Sequence, residues 1–447
     1  MNRREFLAGG SAAAASSLIA SQNRTWAQQG PADVTLTIAP LHLEIAPGKT
    51  VHTIAYNGSV PGPLIRWPEG KPIAIDVFNR SSDPDIVHWH GLWIPSDMDG
   101  SMEEGSPMIS PQGRQRYSFT PRPSGFRWYH SHAYAGHNLK KGGYTGQFGC
   151  FYIEPKDNAG HYDQEQFLTL HDWNPSMTGA DDASMDVSYD AATINGKMLG
   201  AGEPIRVRQG QRVLFHILNA SATLTHWLAC SGHTMRVVAM DGNPVPVQKS
   251  VEAIRLGPAE RIDAIIEMTQ PGIWVFGETR DELRKAGMGI VLEYADQTGD
   301  PRWVAPPETQ WDYSQFARAE KSAAPEVRIP LVFRSKFTGH GDFDHWTING
   351  KSYPKTDIVS LQKGKRHRLI MQNQSTDDHP VHLHRHTFEV ISLDGKLMSG
   401  LKKDVVVVKA KGTAEVDFVA SNPGMTLFHC HQQSHMDFGF MMLFRYA

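Results

Sequence analysis

The chain has 447 residues, of which 40% are hydrophobic and 20% charged, a globular composition that excludes general disorder. The length exceeds that of one ordinary domain, so we expect several domains. The formal net charge of −3 gives no electrostatic support for a nucleic-acid partner.

The first segment is predicted to be an export signal. Arg3 and Arg4 are followed by Phe6, Leu7 and an apolar run rich in Ala and Ser. The run is too short to span a membrane and resembles a twin-arginine signal peptide, which we assign to residues 1–27. We therefore expect export by the twin-arginine machinery, to the periplasm or out of the cell. No other stretch is predicted to span a membrane.

Beyond the signal, short β-rich runs alternate with turns rich in Gly, Pro, Asn and Asp. Runs of this kind occupy residues 34–38, 73–78, 213–218 and 405–408. No long stretch shows clear helical periodicity, so the pattern predicts an all-β protein made of β-sandwiches.

The chain repeats itself three times. In each copy a predicted strand leads to an Asn-x-Ser tripeptide, and the asparagines are Asn79, Asn219 and Asn373. Each copy later has an aromatic strand with a distinctive end, which is His130-Ser131-His132, Gly277-Glu278-Thr279 or His429-Cys430-His431. The repeat predicts homologous sandwich domains at residues 28–157, 158–300 and 326–447, with a Pro- and charge-rich linker at 301–325.

The third copy contains the residues of a blue copper site. Cys430 stands in a histidine cluster, and with His379 and His435 it gives the ligand set of one cysteine and two histidines. The first copy has a serine in place of the cysteine and cannot build this site. The second copy keeps His226 but has Glu278 at the cysteine position, so we expect it to be structural and free of copper.

Four H-x-H pairs accompany this site: His88/His90, His130/His132, His382/His384 and His429/His431. In a strand, residues two apart point to the same side, so each pair aims two imidazoles at one point. Docking the first domain against the third would surround one cavity with eight imidazoles, which suits three coppers. Imidazole also suits zinc, iron and nickel, and the adjacent cysteine site favours copper.

These motifs resemble those of the multicopper oxidase family, the laccases and their bacterial relatives. They are His-Trp-His-Gly at 88, His-Ser-His at 130, His-Pro-Val-His-Leu-His at 379 and His-Cys-His at 429, and they span nearly the whole mature chain. The resemblance implies three cupredoxin-like (Greek-key β-sandwich) domains and four copper ions. It also implies that a small reducing substrate gives up electrons and that dioxygen is reduced to water.

By the family pattern, the type 1 copper is held by His379, Cys430 and His435. The type 2 copper is held by His88 and His382. The type 3 pair is held by the other histidines of the four pairs, which are His90, His130, His132, His384, His429 and His431. Cys430 therefore gives electrons a covalent path to the cluster through its two neighbours.

Three positions bear on the mechanism. Phe440 occupies the family's axial position, where many relatives have Met, and is predicted not to coordinate, while Met441 and Met442 are interpreted as strand packing. Asp99 lies where similar enzymes carry an acid close to the type 2 copper, and it is predicted to feed protons to the cluster. The alternative is a turn residue, because Asp-Gly is an ordinary turn dipeptide. Met436 replaces the acid that many bacterial relatives carry, which leaves the usual proton path in doubt.

The predicted function is laccase-like oxidation of phenols or aromatic amines. The alternative is a metallo-oxidase for Cu(I), Fe(II) or Mn(II), for which Met98, Met102 and Met108 are a weak candidate site. A cupredoxin nitrite reductase is disfavoured, because that family lacks the four pairs. A copper-free cell-division scaffold is the alternative from another class, and the intact ligand set argues against it.

Two questions stay open at this stage. Cys150 and Cys230 could pair in an oxidising compartment, although two small buried residues are the favoured interpretation. The sequence defines neither the physiological reductant nor the oligomeric state.

Overall fold

The computed structural model describes residues 30–156, 161–178, 186–308, 310–320, 322–336 and 345–446. Two predictions lie outside these residues: the signal peptide at 1–27 and the boundary between the first two domains at 157 and 158. Among the residues described, no helix is both long and apolar enough to cross a membrane.

The first sandwich consists of β1 (Val34–Ala46), β2 (Lys49–Tyr56), β3 (Gly62–Pro68), β4 (Ile73–Asn79), β5 (Val87–His90), β6 (Arg114–Phe119), β7 (Gly125–Ser131) and β8 (Phe148–Glu154). One sheet has the order β2-β1-β4-β6 and the other β3-β8-β7-β5. Burial alternates along β4, as expected for a strand with one face on a core. Trp89, Tyr117 and Phe151 fill that core.

The second sandwich consists of β9 (Gln164–Trp173), β10 (Ser176–Thr178), β11 (Asp186–Ser188), β12 (Ala191–Ile194), β13 (Ile205–Val207), β14 (Arg212–Asn219), β15 (His226–Cys230), β16 (Met235–Met240), β17 (Asn243–Val251), β18 (Ile254–Leu256), β19 (Arg261–Glu267), β20 (Ile273–Glu278) and β21 (Gly289–Tyr294). Its sheets have the orders β12-β9-β14-β19-β16-β17 and β13-β21-β20-β15-β18, and β10 and β11 form a separate hairpin.

The third sandwich consists of β22 (Val327–Ser335), β23 (Trp346–Ile348), β24 (Val359–Leu361), β25 (Arg366–Asn373), β26 (His379–Leu383), β27 (Phe388–Leu393), β28 (Lys396–Leu397), β29 (Lys402–Lys403), β30 (Val405–Val408), β31 (Thr413–Val419), β32 (Met425–Cys430) and β33 (Met441–Tyr446). One sheet has the order β23-β22-β25-β31-β27-β28, with β29 also on β27, and the other β24-β33-β32-β26-β30.

Helices in the described part of the chain are short and lie in connections. They are α1 (Asp281–Lys285), α2 (Gln433–Asp437) and the 3-10 turns Ser96–Met98, Met102–Glu104, Gly142–Tyr144 and Tyr313–Phe316. The chain is thus built of three cupredoxin-like β-sandwiches, which confirms the predicted fold class.

The repeated asparagine does the same work in each sandwich. Asn79, Asn219 and Asn373 are buried, and each side-chain oxygen accepts a hydrogen bond at 2.9 Å from the backbone N–H of the repeated serine. Each side-chain amide donates to backbone carbonyls in the connection that follows. The Asn-x-Ser repeat therefore closes a loop that would otherwise leave buried backbone groups without partners. The remaining cysteines, Cys150 and Cys230, are buried free thiols.

Candidate metal centre

The histidine pairs lie on neighbouring antiparallel strands in two domains. In the first domain, β5 pairs with β7 so that His88 lies opposite His130. In the third domain, β26 pairs with β32 so that His382 lies opposite His429. Because both strands of each ladder carry an H-x-H sequence, each domain gathers four imidazoles at one place.

Strand alternation also separates Cys430 from its two neighbours. The rings of His429 and His431 contact histidines of the first domain. Cys430 points the opposite way, into the core of the third domain, where it is fully buried. One tripeptide therefore contributes to two separate groups of side chains.

Imidazoles of the first and third domains interleave. The interdomain ring pairs, with distances between ring centroids, are His88/His384 at 4.0 Å, His90/His382 at 3.8 Å, His130/His431 at 5.2 Å and His132/His429 at 5.1 Å. Their donor atoms form three groups, in each of which the atoms lie within 4.8 Å of one another: His88/His90/His382, His90/His130/His431 and His132/His384/His429. Every group combines both domains, so none can form in one domain alone.

Hydrogen bonds fix the orientation of the rings. Backbone carbonyls lie 2.7–2.9 Å from the Nδ1 atoms of His88, His130, His382 and His429. His90 has the opposite orientation, because its Nε2 lies 3.1 Å from the Asp404 carboxylate. A hydrogen bond at one ring nitrogen sets the tautomer and leaves the lone pair on the other.

Most of the ring nitrogens that make no hydrogen bond in the cluster belong to histidines of the three donor groups, around the space that these groups enclose. Within the described chain, these buried atoms have no hydrogen-bond partner: Nε2 of His88, His130, His132, His382 and His431, and Nδ1 of His90. Buried polar atoms without partners are rare in proteins. Several unpartnered nitrogens around one cavity fit bound metal ions.

Burial lowers the pKa of seven of the cluster imidazoles, which favours their neutral form. Burial, helped by neighbouring imidazoles, lowers the pKa of His132 to about 4. For the same reasons the pKa lies well below its usual value at His90, His130, His382, His384, His429 and His431. A neutral ring keeps the lone pair that binds a metal.

A second donor group lies inside the third domain. His379 Nδ1 is 3.1 Å from His435 Nδ1, and Cys430 Sγ is 3.6 Å and 3.5 Å from these atoms. A point equidistant from the three atoms lies about 2 Å from each, close to the roughly 2.0–2.3 Å of metal–nitrogen and metal–sulfur bonds. Ser375 Oγ lies 2.9 Å from Nε2 of His379 and orients that ring. The trigonal set of one sulfur and two nitrogens fits copper.

The protonation of Cys430 depends on what is bound beside it. Burial raises the pKa of its thiol well above the usual value. A thiolate at this position therefore requires a neighbouring cation, and a metal ion provides one.

Phe440 lies beside this second group. It is fully buried, and its ring centroid is 4.6 Å from that of His379. The Cys430 N–H donates to the Phe440 carbonyl at 3.2 Å, so the two residues face each other across the β32–β33 hairpin. Met441 belongs to a separate small apolar cluster, and Met442 is buried in the main core.

Asp99 lies between imidazoles of the two domains. Its Oδ2 is 2.7 Å from His384 Nδ1 and 3.2 Å from His88 Nδ1. Glu104, which the sequence analysis missed, completes this group. Its Oε2 lies 3.4 Å from His384 Nδ1, and its Oε1 accepts from the Leu427 N–H at 2.7 Å.

The two carboxyl groups differ in their affinity for a proton. Burial and the nearby charge of Asp99 hold the pKa of Glu104 well above its usual value. Burial also acts to raise the pKa of Asp99, but His88 and His384 outweigh it and hold this pKa well below its usual range. A proton shared by the pair is therefore held more strongly by Glu104 than by Asp99. The only signal for Glu104 in the sequence was that it belongs to an acidic doublet soon after Asp99.

Asp437 anchors a loop of the first domain. Its Oδ2 accepts from the backbone N–H of Ala135 at 3.0 Å and of Gly136 at 2.9 Å, and the Gln433 side chain donates to it at 2.9 Å. Burial raises the pKa of Asp437 to about 6. These contacts fasten the first domain to the helix α2 that carries His435.

The second domain has an ion pair where the third has its cysteine site. His226 Nε2 lies 2.8 Å from Asp172 Oδ2, and its Nδ1 lies 2.9 Å from Glu278 Oε2. Burial opposes a charge here, but the two carboxylates outweigh it and raise the pKa of His226 to about 9. A charged imidazole clamped by two acids thus occupies this position.

Three stretches of the chain match models of a known family. Residues 37–158, 164–290 and 328–447 each match a model described as multicopper oxidase. Together they cover all three sandwiches.

Individual proteins resemble the chain over most of its length. It is 29% identical to the multicopper oxidase MmcO of Mycobacterium tuberculosis, across 90% of this chain and 84% of the relative. Its structure resembles the laccase of Botrytis aclada with a TM-score of 0.78 and 21% identity, over 94% of this chain and 89% of that one. It also resembles a Campylobacter jejuni multicopper oxidase described as a metallo-oxidase, with a TM-score of 0.73 and 24% identity, over 94% and 93% of the two chains.

We predict that His226→Gln removes a pH-dependent part of the stability. The raised pKa favours the charged ring in the folded state, so its contribution is complete below the unfolded pKa of about 6.5. This contribution is lost as the pH rises through about 9. Across this interval the wild type should lose on the order of 2 kcal/mol more unfolding free energy than the variant. Thermal and denaturant unfolding at a series of pH values measure the difference.

His171→Gln is the matched control. Burial lowers the pKa of His171 to about 4, so its effect on stability appears as the pH falls below about 6.5. Superimposable pH profiles for the wild type and His226→Gln would contradict a charged His226.

Proposed function

Because the chain belongs to the multicopper oxidase family, we propose that it is a laccase-like oxidase that takes single electrons from phenols or aromatic amines and reduces dioxygen to water. The observation that supports this most directly is the position of Cys430 between His429 and His431. A buried cysteine site is thereby joined to a histidine cluster through one tripeptide, as stepwise electron collection and four-electron reduction require.

We propose four copper ions. One is held by His379, Cys430 and His435, and one by His88 and His382. The remaining pair is held by His90, His130, His132, His384, His429 and His431. Bound copper would supply the one-electron steps and the reduction of dioxygen. The chain supplies buried ligands, a covalent path through Cys430 and exclusion of bulk water.

Asp99 is proposed to feed protons to the cluster. Reduction of dioxygen to water consumes four protons for each molecule, so a buried relay is needed. Asp99 is fully buried, contacts His384 and His88, and lies beside Glu104, whose pKa burial and the Asp99 charge hold well above its usual value. The pair of carboxyl groups would give one proton to the cluster and then take up another.

Phenolic or aromatic amine substrates are proposed because of Phe440. Phenylalanine has no lone pair, so a copper ion held by His379, Cys430 and His435 would lack the weak fourth donor that a methionine gives, and its reduced form would be favoured, with a high reduction potential. An apolar side chain that excludes water acts in the same direction. A high potential suits poorly reducing phenols.

A metallo-oxidase is the second candidate, because the similar Campylobacter jejuni enzyme is described as one. The three methionines give it little support. Met98 packs against the core of the first domain, and Met102 is 53% exposed. A soft metal site needs sulfur atoms that converge.

We also propose export by the twin-arginine route to the periplasm or out of the cell, on the basis of Arg3, Arg4, Phe6 and Leu7. The copper-free scaffold stays the alternative from another class. Copper content of the purified protein separates the two: about four ions per chain support the oxidase, and none supports the scaffold.

We predict that a phenolic substrate is oxidised with a higher kcat/KM than Cu(I) or Fe(II). The reason is the high potential expected at a copper without an axial donor. Steady-state oxygen consumption with each reductant makes the comparison. A clear preference for a metal ion would replace the laccase-like assignment with the metallo-oxidase.

Cys430→Ser is the control for this comparison. The variant should lose the intense blue colour and turnover with every reductant, while the fold and the histidine cluster persist. Turnover at the wild-type rate would contradict the proposed role of Cys430.

Phe440→Met is predicted to lower the reduction potential of the copper at Cys430, because a thioether adds a weak donor that stabilises the oxidised ion. Redox titration of the blue band in both proteins measures the shift. Met441→Leu and Met442→Leu are the matched controls and should leave the midpoint unchanged. An unchanged midpoint in Phe440→Met, or a rise in either control, would mean that Phe440 is not axial.

Asp99→Asn is predicted to slow reoxidation by dioxygen by roughly 100-fold, within the range of a lost acid–base group. Reduction of the copper at Cys430 should change little, because Asp99 lies at the cluster. Stopped-flow measurement of the two half-reactions separates these steps. Small, equal effects on both would favour the turn role.

A further inference from the structure

Asp404 lies where all three domains meet. It precedes β30 in the third domain and is fully buried. Arg261 of the second domain donates to both carboxylate oxygens at 2.6 Å, and Arg127 of the first domain donates at 3.3 Å. A carboxylate removed from water needs such partners, and a paired arginine fork is the strongest of them.

The two arginines depend on Asp404 to different degrees, because Arg261 makes two short contacts with it and also lies 3.8 Å from Asp241 Oδ1, while Arg127 makes one longer contact. Both are fully buried. Arg127 otherwise donates to carbonyls, including that of Ser124 at 2.9 Å, and Arg261 to the carbonyl of Ala259 at 3.0 Å. Removing one member of a buried ion network leaves uncompensated charge, which costs several kcal/mol. The network therefore holds the three domains in one relative position.

Asp404 also touches the histidine cluster twice. Its Oδ1 lies 3.1 Å from His90 Nε2, and its backbone carbonyl lies 2.7 Å from His382 Nδ1. The first contact turns Nδ1 of His90 towards the cavity. The second leaves Nε2 of His382 facing the same way. One residue thus orients two stacked rings from different domains.

The backbone beside His90 is shaped around this carboxylate. Gly91 has φ +82°, and a Cβ built there would lie 2.6 Å from Asp404 Oδ2 and 2.9 Å from an Arg261 nitrogen. Any side chain would displace the ion pair. The glycine of the His-Trp-His-Gly motif therefore makes room for the arginine-bound acid.

We infer that Asp404 is a positioning residue of the copper cluster, and that the copper-free second domain completes the cluster from outside by supplying Arg261. Asp404 selects Nδ1 of His90 as the donor and fixes the ring against His382. Arg261 and Arg127 hold the carboxylate in place for that task. The inference rests on the proposed function, because it assumes copper at the histidine cluster.

Asp404→Asn tests the inference. The amide still accepts from His90 but loses the bidentate arginine pair, so the ring is no longer held in register. Copper affinity of the cluster should fall roughly 10- to 100-fold, as for other residues that orient metal ligands. The blue absorption of the Cys430 site should stay unchanged for each chain. Copper per chain after dialysis against graded chelator, together with the paramagnetic resonance signal of the cluster copper, gives the readout.

Asp417→Asn is the matched control, because Asp417 is a buried carboxylate of the same domain that accepts from Arg366 at 2.7 Å and Arg368 at 2.6 Å. It should lower the melting temperature and leave copper content and spectra unchanged. Cluster spectra and copper affinity that are unchanged in Asp404→Asn would overturn the inference, and so would equal copper loss in both variants. A wild-type protein without copper would instead overturn the proposed function.

Arg261→Lys decides the matter if Asp404→Asn does not fold. Lysine keeps the charge but cannot make two parallel contacts with one carboxylate. The resonance signal of the cluster copper should change while the blue band does not. An unaltered signal would refute the role given to the second domain.

Discussion

The two-residue period of the β-strand is the constraint on which the centre depends. Cys430 points into the third domain, and the residues on either side of it must point out, towards the first domain. A strand one residue out of register would exchange these directions and destroy both donor groups at once. The hairpin partner of β32, which places Phe440 opposite Cys430, therefore protects the register as well as the packing.

Burial of so many polar groups is made possible by three-way docking. The first and third domains supply the imidazoles, and the ring of His90 is aligned by the Asp404 carboxylate, which needs counter-charges of its own. Those counter-charges come from Arg127 and Arg261, and Arg261 belongs to the second domain. In the second domain the position of the cysteine site is filled by the His226 ion pair. The second domain therefore has a structural role both in its own interior, through the His226 ion pair, and at its interface with the other two domains, through Arg261.

Local pattern was enough to predict the fold class and the set of histidines that meet, because strand alternation and the threefold repeat are encoded within short stretches. The assignment of those histidines to copper is still a prediction. Glu104 and Asp404 were missed for a common reason. The contact between Asp404 and His90 joins residues 314 positions apart, and that between Glu104 and Leu427 joins residues 323 apart. An acid between strands carries no periodic signal, and only docking of the domains reveals its partner.

The interleaving of rings from the two ends of the chain also sets an order in time. A ribosome must reach β26 of the third domain before any of the three histidine groups has all its members, and it must pass β32 before all three groups are complete. Until then, the four imidazoles of the first domain form half a site, open to whichever metal ion reaches them. Such an architecture favours metal binding after the chain has folded over metal binding during synthesis.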